Sequence, residues 1–367
     1  MKLKKAVGLV LSCLVLGSAV PALAGTISYT CDPSVAASTC NYLNTVIAGA
    51  YNSTFTNASA NIYIQYGTTG LASTESYLND TSYSSYLGAL TANVNQSSLQ
   101  MQALTALNTY DTASYGSGNV EITDALGEAL GLTSGLVGIT SGGGACSFPT
   151  IGCYNAVVTI TNDPGTPLYY DNLGGSQASD AYDFYSTVEH ETDEVLGTSS
   201  CISTQGASLS NPCTFFGPDT ASAADLFRYS APGSLVLDTS LSTTPGAYFS
   251  YDGGTTNGAT GVGGSPLYYN TLDNGDDYAD FVSSSPDCGT NQAVQDAEGC
   301  PGEGAGLSIL NDGGSEINIL NAVGYDLTNS IAPAPTPEPG SLTLLGSGLV
   351  GLATYYRRRR RGGEAVS

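Results

Sequence analysis

The sequence predicts an α+β fold, with an N-terminal part of sheet strands and helices followed by a loop-rich C-terminal part. Three observations carry this expectation. Segments of helical period and segments of strand alternation interleave between residues 41 and 197. Beyond Gly197, Gly- and Asp-rich stretches dominate. The 46 Gly and the lack of Trp agree with many turns, while 41% hydrophobic residues and 24 Tyr suffice for a large core.

In chain order, Leu43, Val46, Ile47 and Tyr51 recur at helical spacing and predict a helix from Asn41 to about Phe55. The alternation in Asn61–Tyr66 predicts a strand, and Ser82–Leu107 reads as one or two helices. Gly118–Ile122 is expected to be a short strand, Asp124–Leu132 a short helix, and Tyr154–Thr161 (YNAVVTIT) a further strand. Tyr182–Gly197 (YDFYSTVEHETDEVLG) predicts a helix with Tyr185, Val188, Glu191 and Val195 on a buried stripe and Gly197 as its C′ residue. The loop-rich part contains Asp225–Tyr229, the Gly-rich Tyr251–Gly264 and the acidic Asp273–Asp280. It closes on an amphipathic segment, Glu316–Leu327, with Ile317, Ile319, Leu320 and Val323 on one side.

Charge narrows the classes of partner. The chain carries a formal −23, and residues 25 to 335 hold thirty acids against one arginine, Arg228. Nucleic acid is not expected as a partner, because phosphate neutralisation needs clustered cations.

The two ends read as targeting segments. Lys2, Lys4 and Lys5, the apolar run from Ala6 to about Val20, and Ala22-Leu23-Ala24 make residues 1–24 a secretory signal peptide cleaved before Gly25. A lipobox reading ending at Cys13 competes with this. A single domain is expected over 25–330. Residues 331–339 (IAPAPTPEP) form an extended Pro-rich linker. Residues 340–367 follow: an apolar run just long enough to span a bilayer as a helix, Tyr355 and Tyr356 at the interface, and Arg357 to Arg361 held in the cytoplasm. Pro337-Glu338-Pro339, the apolar span and the Arg run together resemble the PEP-CTERM sorting signal of exported bacterial proteins. The resemblance implies recognition by an exosortase-type sorting enzyme, transient membrane anchoring through this segment, removal of the tail, and delivery to the cell surface, outer membrane or extracellular matrix. Eight cysteines remain after the signal peptide, in four close couples, which predicts disulfides in an oxidising compartment. Sequential pairing is the simplest arrangement: Cys31–Cys40, Cys146–Cys153, Cys201–Cys213 and Cys288–Cys300.

The only histidine, His190, lies in His190-Glu191-Thr192-Asp193-Glu194. On a helix, positions i and i+4 share a face, so His190 and Glu194 are placed to hold one metal ion, with Glu191 beside them as a base. This is the His-Glu-x-x-His pattern with Glu in the second ligand place, and carboxylate oxygen is an acceptable zinc ligand. The helix with its Gly197, then Asp225–Gly233 (DLFRYSAPG) and Ile319–Leu327 (ILNAVGYDL), resemble segments of secreted bacterial metalloproteases of the zincin type. The resemblance covers roughly residues 180 to 327 and implies a zincin-like domain, a Zn2+ cofactor and a protein or peptide substrate. In the metzincin branch a third ligand stands six residues after the second, but here that residue is Ser200, and no Met-turn exists because Met1 and Met101 are the only methionines. Asp225 is then the expected third metal ligand, with Asp219 and Glu316 as alternatives and Arg228 as the partner that steadies a ligating carboxylate. Ca2+ is a further candidate at Asp273–Asp280, although the terminal Glu of an EF-hand is lacking.

Two functions follow. One is a surface-sorted endopeptidase in which a metal-activated water attacks the peptide bond and Glu191 is the catalytic general base. The other is a catalytically degenerate zincin-fold protein of the surface or matrix, consistent with the incomplete ligand set. The same helix also permits a third arrangement, a surface histidine paired with neighbouring carboxylates.

Overall fold

The computed structural model describes residues 25–68, 70–93, 96–111, 118–170, 177–202, 220–237, 246–261, 265–270, 277–282, 293–302 and 314–328. The expected signal peptide and linker, the sorting segment, Asp219, Cys213, Cys288 and most of the Asp273–Asp280 run lie outside these residues. Strand β1 (Ile27–Cys31) leads into helix α1, built from Ala37–Tyr42, a π turn at Leu43–Ile47, and Ala48–Thr54. Then come β2 (Ala60–Gly67), β3 (Ala72–Ser76), β4 (Leu78–Ser82), α2 (Tyr83–Ala92), α3 (Ser98–Ala106), β5 (Asn119–Thr123) and α4 (Asp124–Ala129). Next are β6 (Val137–Thr140), β7 (Ala145–Ser147), β8 (Cys153–Tyr154), β9 (Ala156–Thr161), β10 (Leu168–Tyr169), β11 (Tyr182–Asp183) and α5 (Phe184–Leu196). The last elements are β12 (Thr220–Ser222), β13 (Arg228–Ala231), β14 (Ser234–Leu235), β15 (Tyr248–Phe249) and α6 (Ser315–Val323).

The main sheet has the order β1-β2-β9-β3, with β1, β2 and β9 parallel and β3 antiparallel at the edge. Sequence accounts for this order. In β9 every residue but Thr159 is buried, as an inner strand covered on both faces requires. In β2, Ala60, Ile62 and Ile64 are buried while Asn61, Tyr63 and Gln65 are not. Edge strand β3 (ASTES) has no buried residue, and its outward Glu75 suits an edge. A second sheet has the order β12-β5-β4, and a disulfide-tied sheet, β7-β6-β8, lies against β2, β3 and β9 of the main sheet.

Helix starts follow side-chain caps. Ser82, Ser97 and Thr123 each accept an amide hydrogen bond at 3.1 Å, from Ser85, Gln100 and Leu126. One hydrophobic cluster joins the start and end of the described chain: Phe55 of the α1 exit packs on Tyr325, and Thr328 donates its amide to the Thr54 carbonyl. Cys31 is bonded to Cys40 and Cys146 to Cys153, while Cys201 and Cys300 are each disulfide-bonded to a cysteine outside the described residues.

Candidate metal centre

Helix α5 carries the histidine. Asp183 caps its start by accepting the amides of Tyr185 and Ser186, and Gly197 ends it in the left-handed region at φ +108°. The helix is not a solvated acidic surface: Glu189, Glu191 and Asp193 are buried together with Phe184, Val188, Val195 and Leu196. Tyrosines take up part of that polarity. Tyr51 donates its hydroxyl to Asp193 Oδ1 at 2.6 Å, and Tyr29 bonds Thr192 at 2.8 Å. His190 and Glu194 keep 18% and 16% of their side chains exposed, so their face of the helix opens to solvent.

Three side chains converge there. His190 Nε2 lies 3.9 Å from Glu194 Oε1 and 3.7 Å from Asp280 Oδ1, and one ligand atom from each residue falls within 4.8 Å of the others. The other ring nitrogen is committed: Nδ1–H donates to the Val294 carbonyl at 2.9 Å, which leaves Nε2 as the ligand atom of the neutral ring. Gln295 returns a bond from its side-chain amide to the His190 carbonyl at 3.1 Å. Glu316 supports this turn from behind. It is fully buried, and its Oε1 accepts the amides of Val294 and Gln295 at 3.1 and 3.4 Å. Glu316 therefore holds the segment that orients His190 and is not a member of the ligand group. Burial alone would lower the His190 pKa, but the carboxylates of Asp280, Glu194 and Glu191 outweigh it and push the value up to about 10. The acidic surround thus favours positive charge on the ring.

The structure does not bring Asp225 into this group. Its two oxygens are used by Ser200 Oγ at 2.5 Å and by the amides of Cys201 and Ser222, both at 2.8 Å, so it ties two chain segments together. The carboxylate that completes the group is Asp280, the last residue of the acidic run. Arg228 fixes it by another route than the one expected from sequence. Its guanidinium donates to the Tyr278 carbonyl at 2.5 Å and the Asn270 carbonyl at 3.4 Å, and sits 4.7 Å from the centre of the Tyr269 ring. The Asn270 amide in turn donates to the Asp280 carbonyl at 2.6 Å. Asp277, in the same turn, accepts the amides of Ser200 and Ala279. Arg228→Met should therefore cost about 2–3 kcal/mol, the scale of lost hydrogen bonds from a buried charged group, with Arg228→Lys recovering part of it in thermal unfolding.

Glu191 stands next to the group. Thr74, on edge strand β3, donates its hydroxyl to Glu191 Oε2 at 2.6 Å, and Glu191 is 6% exposed. Burial and the nearby Glu194 carboxylate raise its pKa well above the ordinary glutamate range. No sequence signal marked Thr74. Asp280 did leave one: an Asp inside the apolar run Tyr278-Ala279-Asp280-Phe281-Val282 is the composition of a buried, committed carboxylate.

The donor set fits a divalent ion. One imidazole nitrogen and two carboxylate oxygens are acceptable zinc ligands, and separations of 3.7 and 3.9 Å approach the roughly 3.4 Å edge of a tetrahedron with zinc-ligand bond lengths. Partial exposure of His190 and Glu194 leaves one side of the group open to solvent.

Comparison with known proteins adds one assignment. Residues 335–361 match the PEP-CTERM protein-sorting motif. The chain is thus an exported protein, recognised by an exosortase-type sorting enzyme and processed at the cell envelope or surface. No curated protein and no solved structure matches it. No helix among the described residues is long and apolar enough to cross a membrane.

Proposed function

We propose that this exported chain is a metal-dependent endopeptidase of zincin type whose ion is held by His190, Glu194 and Asp280. The observation that supports it is the convergence of these three ligand atoms, with the second nitrogen of His190 committed to a backbone carbonyl. A bound zinc ion would supply Lewis-acid polarisation of a peptide carbonyl. Glu191 takes the proton of the water whose oxygen bonds the peptide carbonyl carbon and returns it to the amine released when the C–N bond breaks; its raised pKa brings it toward neutral pH, where one carboxylate can do both. Thr74 holds that carboxylate in one orientation, and Glu316 and Gln295 fix the imidazole through the Val294–Gln295 turn.

The test is hydrolysis of an unfolded protein substrate by the mature exported protein. Cleavage should stop with a chelator and return with zinc. Absence of cleavage by the zinc-loaded protein would favour the degenerate surface-protein reading.

A further inference from the structure

A second polar site lies on sheet β12-β5-β4 and shares no residue with the group around His190. Asp80 on β4 and Glu121 on β5 are direct cross-strand partners, so their carboxylates project from the same face of the ladder. Like charges opposite one another work against strand pairing. The two are also unequally placed. Asp80 is exposed and accepts the Asn119 side-chain amide at 3.0 Å, whereas Glu121 is 1% exposed and neither of its oxygens has a hydrogen-bond donor among the described residues. A buried carboxylate without a donor requires a compensating charge, because desolvation otherwise disfavours its ionised form. Burial, then the Asp80 carboxylate and a hydrogen bond to it in the protonated form, push the Glu121 pKa up to about 7.

We propose that Asp80 and Glu121 form a divalent-cation site that takes calcium. The donors are all carboxylate oxygens, which suit a hard cation and not a nitrogen- or sulfur-seeking one. Exposure of Asp80 lets water complete the coordination shell from the solvent side. With two protein carboxylates the affinity falls in the range of extracellular modules, a Kd of about 10⁻⁴–10⁻³ M. An exported protein meets calcium outside the cell, so the ion would fasten β4 to β5 only after export.

The experiment is thermal unfolding of the mature exported protein at pH 7.5, stripped with chelator and then given calcium chloride up to about 5 mM. The parent should gain about 2–4 °C. Asp80→Asn, at an exposed position that tolerates change, and Glu121→Gln should both fold and lose that gain, with Glu121→Gln at least as stable as the stripped parent. Glu194→Gln should keep the gain, which separates this site from the proposed zinc group. No calcium response in the parent means the pair shares a proton instead and overturns the proposal. A response retained in both Asp80→Asn and Glu121→Gln places the ion elsewhere and overturns it equally.

Discussion

Glu191→Gln should lower peptide hydrolysis by about 10²-fold or more, the scale for loss of a general base, while metal content stays at the parent level. The amide keeps the size of the side chain and still offers an oxygen to Thr74, whose hydroxyl now reaches Glu191 Oε2 at 2.6 Å. Only the capacity to take up a proton is removed. The ligands His190, Glu194 and Asp280 are untouched, so a variant that loses both metal and activity would point to misfolding, and one with unchanged turnover would remove Glu191 from the mechanism. Rates on an unfolded protein substrate, paired with elemental analysis of the same sample, distinguish these outcomes.

Without divalent cations, stability should be greatest in mild acid and fall as pH rises from about 4 to about 8. Burial raises Asp124 to about 8, with the Glu128 carboxylate adding to the effect, and raises Asp326 to about 6. For carboxyls raised in the folded state, the folded chain binds the proton more tightly than the unfolded chain. Their contribution is fully present below the unfolded pKa, and is lost as pH climbs through the folded values. Each tenfold difference in proton affinity is worth about 1.4 kcal/mol, so Asp124 alone implies a loss of roughly 3–4 kcal/mol between pH 5 and pH 8. Asp124→Asn should flatten that decline in denaturant titrations. A parent that gains stability over the same interval would show that these carboxyls are ionised and paired in the folded state. The chain's formal −23 works in the same direction, since self-repulsion grows as carboxyls ionise.

The local signals in the sequence were strong where one segment decides its own structure. Gly197 ends α5 as its position predicts, β9 is the expected apolar strand, and the stripe with Val188 and Val195 is buried. The periodicity did not show that the rest of α5 is buried too, because Glu189 and Asp193 read as solvated until Tyr51 and its neighbours are packed on them. Strands β3 (ASTES) and β4 (LNDTS) left no hydrophobic alternation; pairing with β9 and β5 makes them strands, a tertiary effect. The site divides in the same way. His190, Glu191 and Glu194 lie within little more than one turn of one helix and are legible from spacing, whereas Asp280 arrives through Arg228, Asn270 and the turn at Tyr278, which no spacing encodes. Asp225 resembled a ligand because it is an acid beside the one body arginine, yet three donors consume its oxygens.

If His190, Glu194 and Asp280 hold one transition-metal ion, the metal content of the protein must follow these three residues. Mature exported protein, prepared with zinc present and dialysed, should carry one zinc ion per chain by elemental analysis. His190→Ala should carry none, Asp280→Asn should bind it more weakly, and Asp225→Asn should retain it. A parent without zinc, or a His190→Ala variant that keeps it, would mean that these three residues form no metal site.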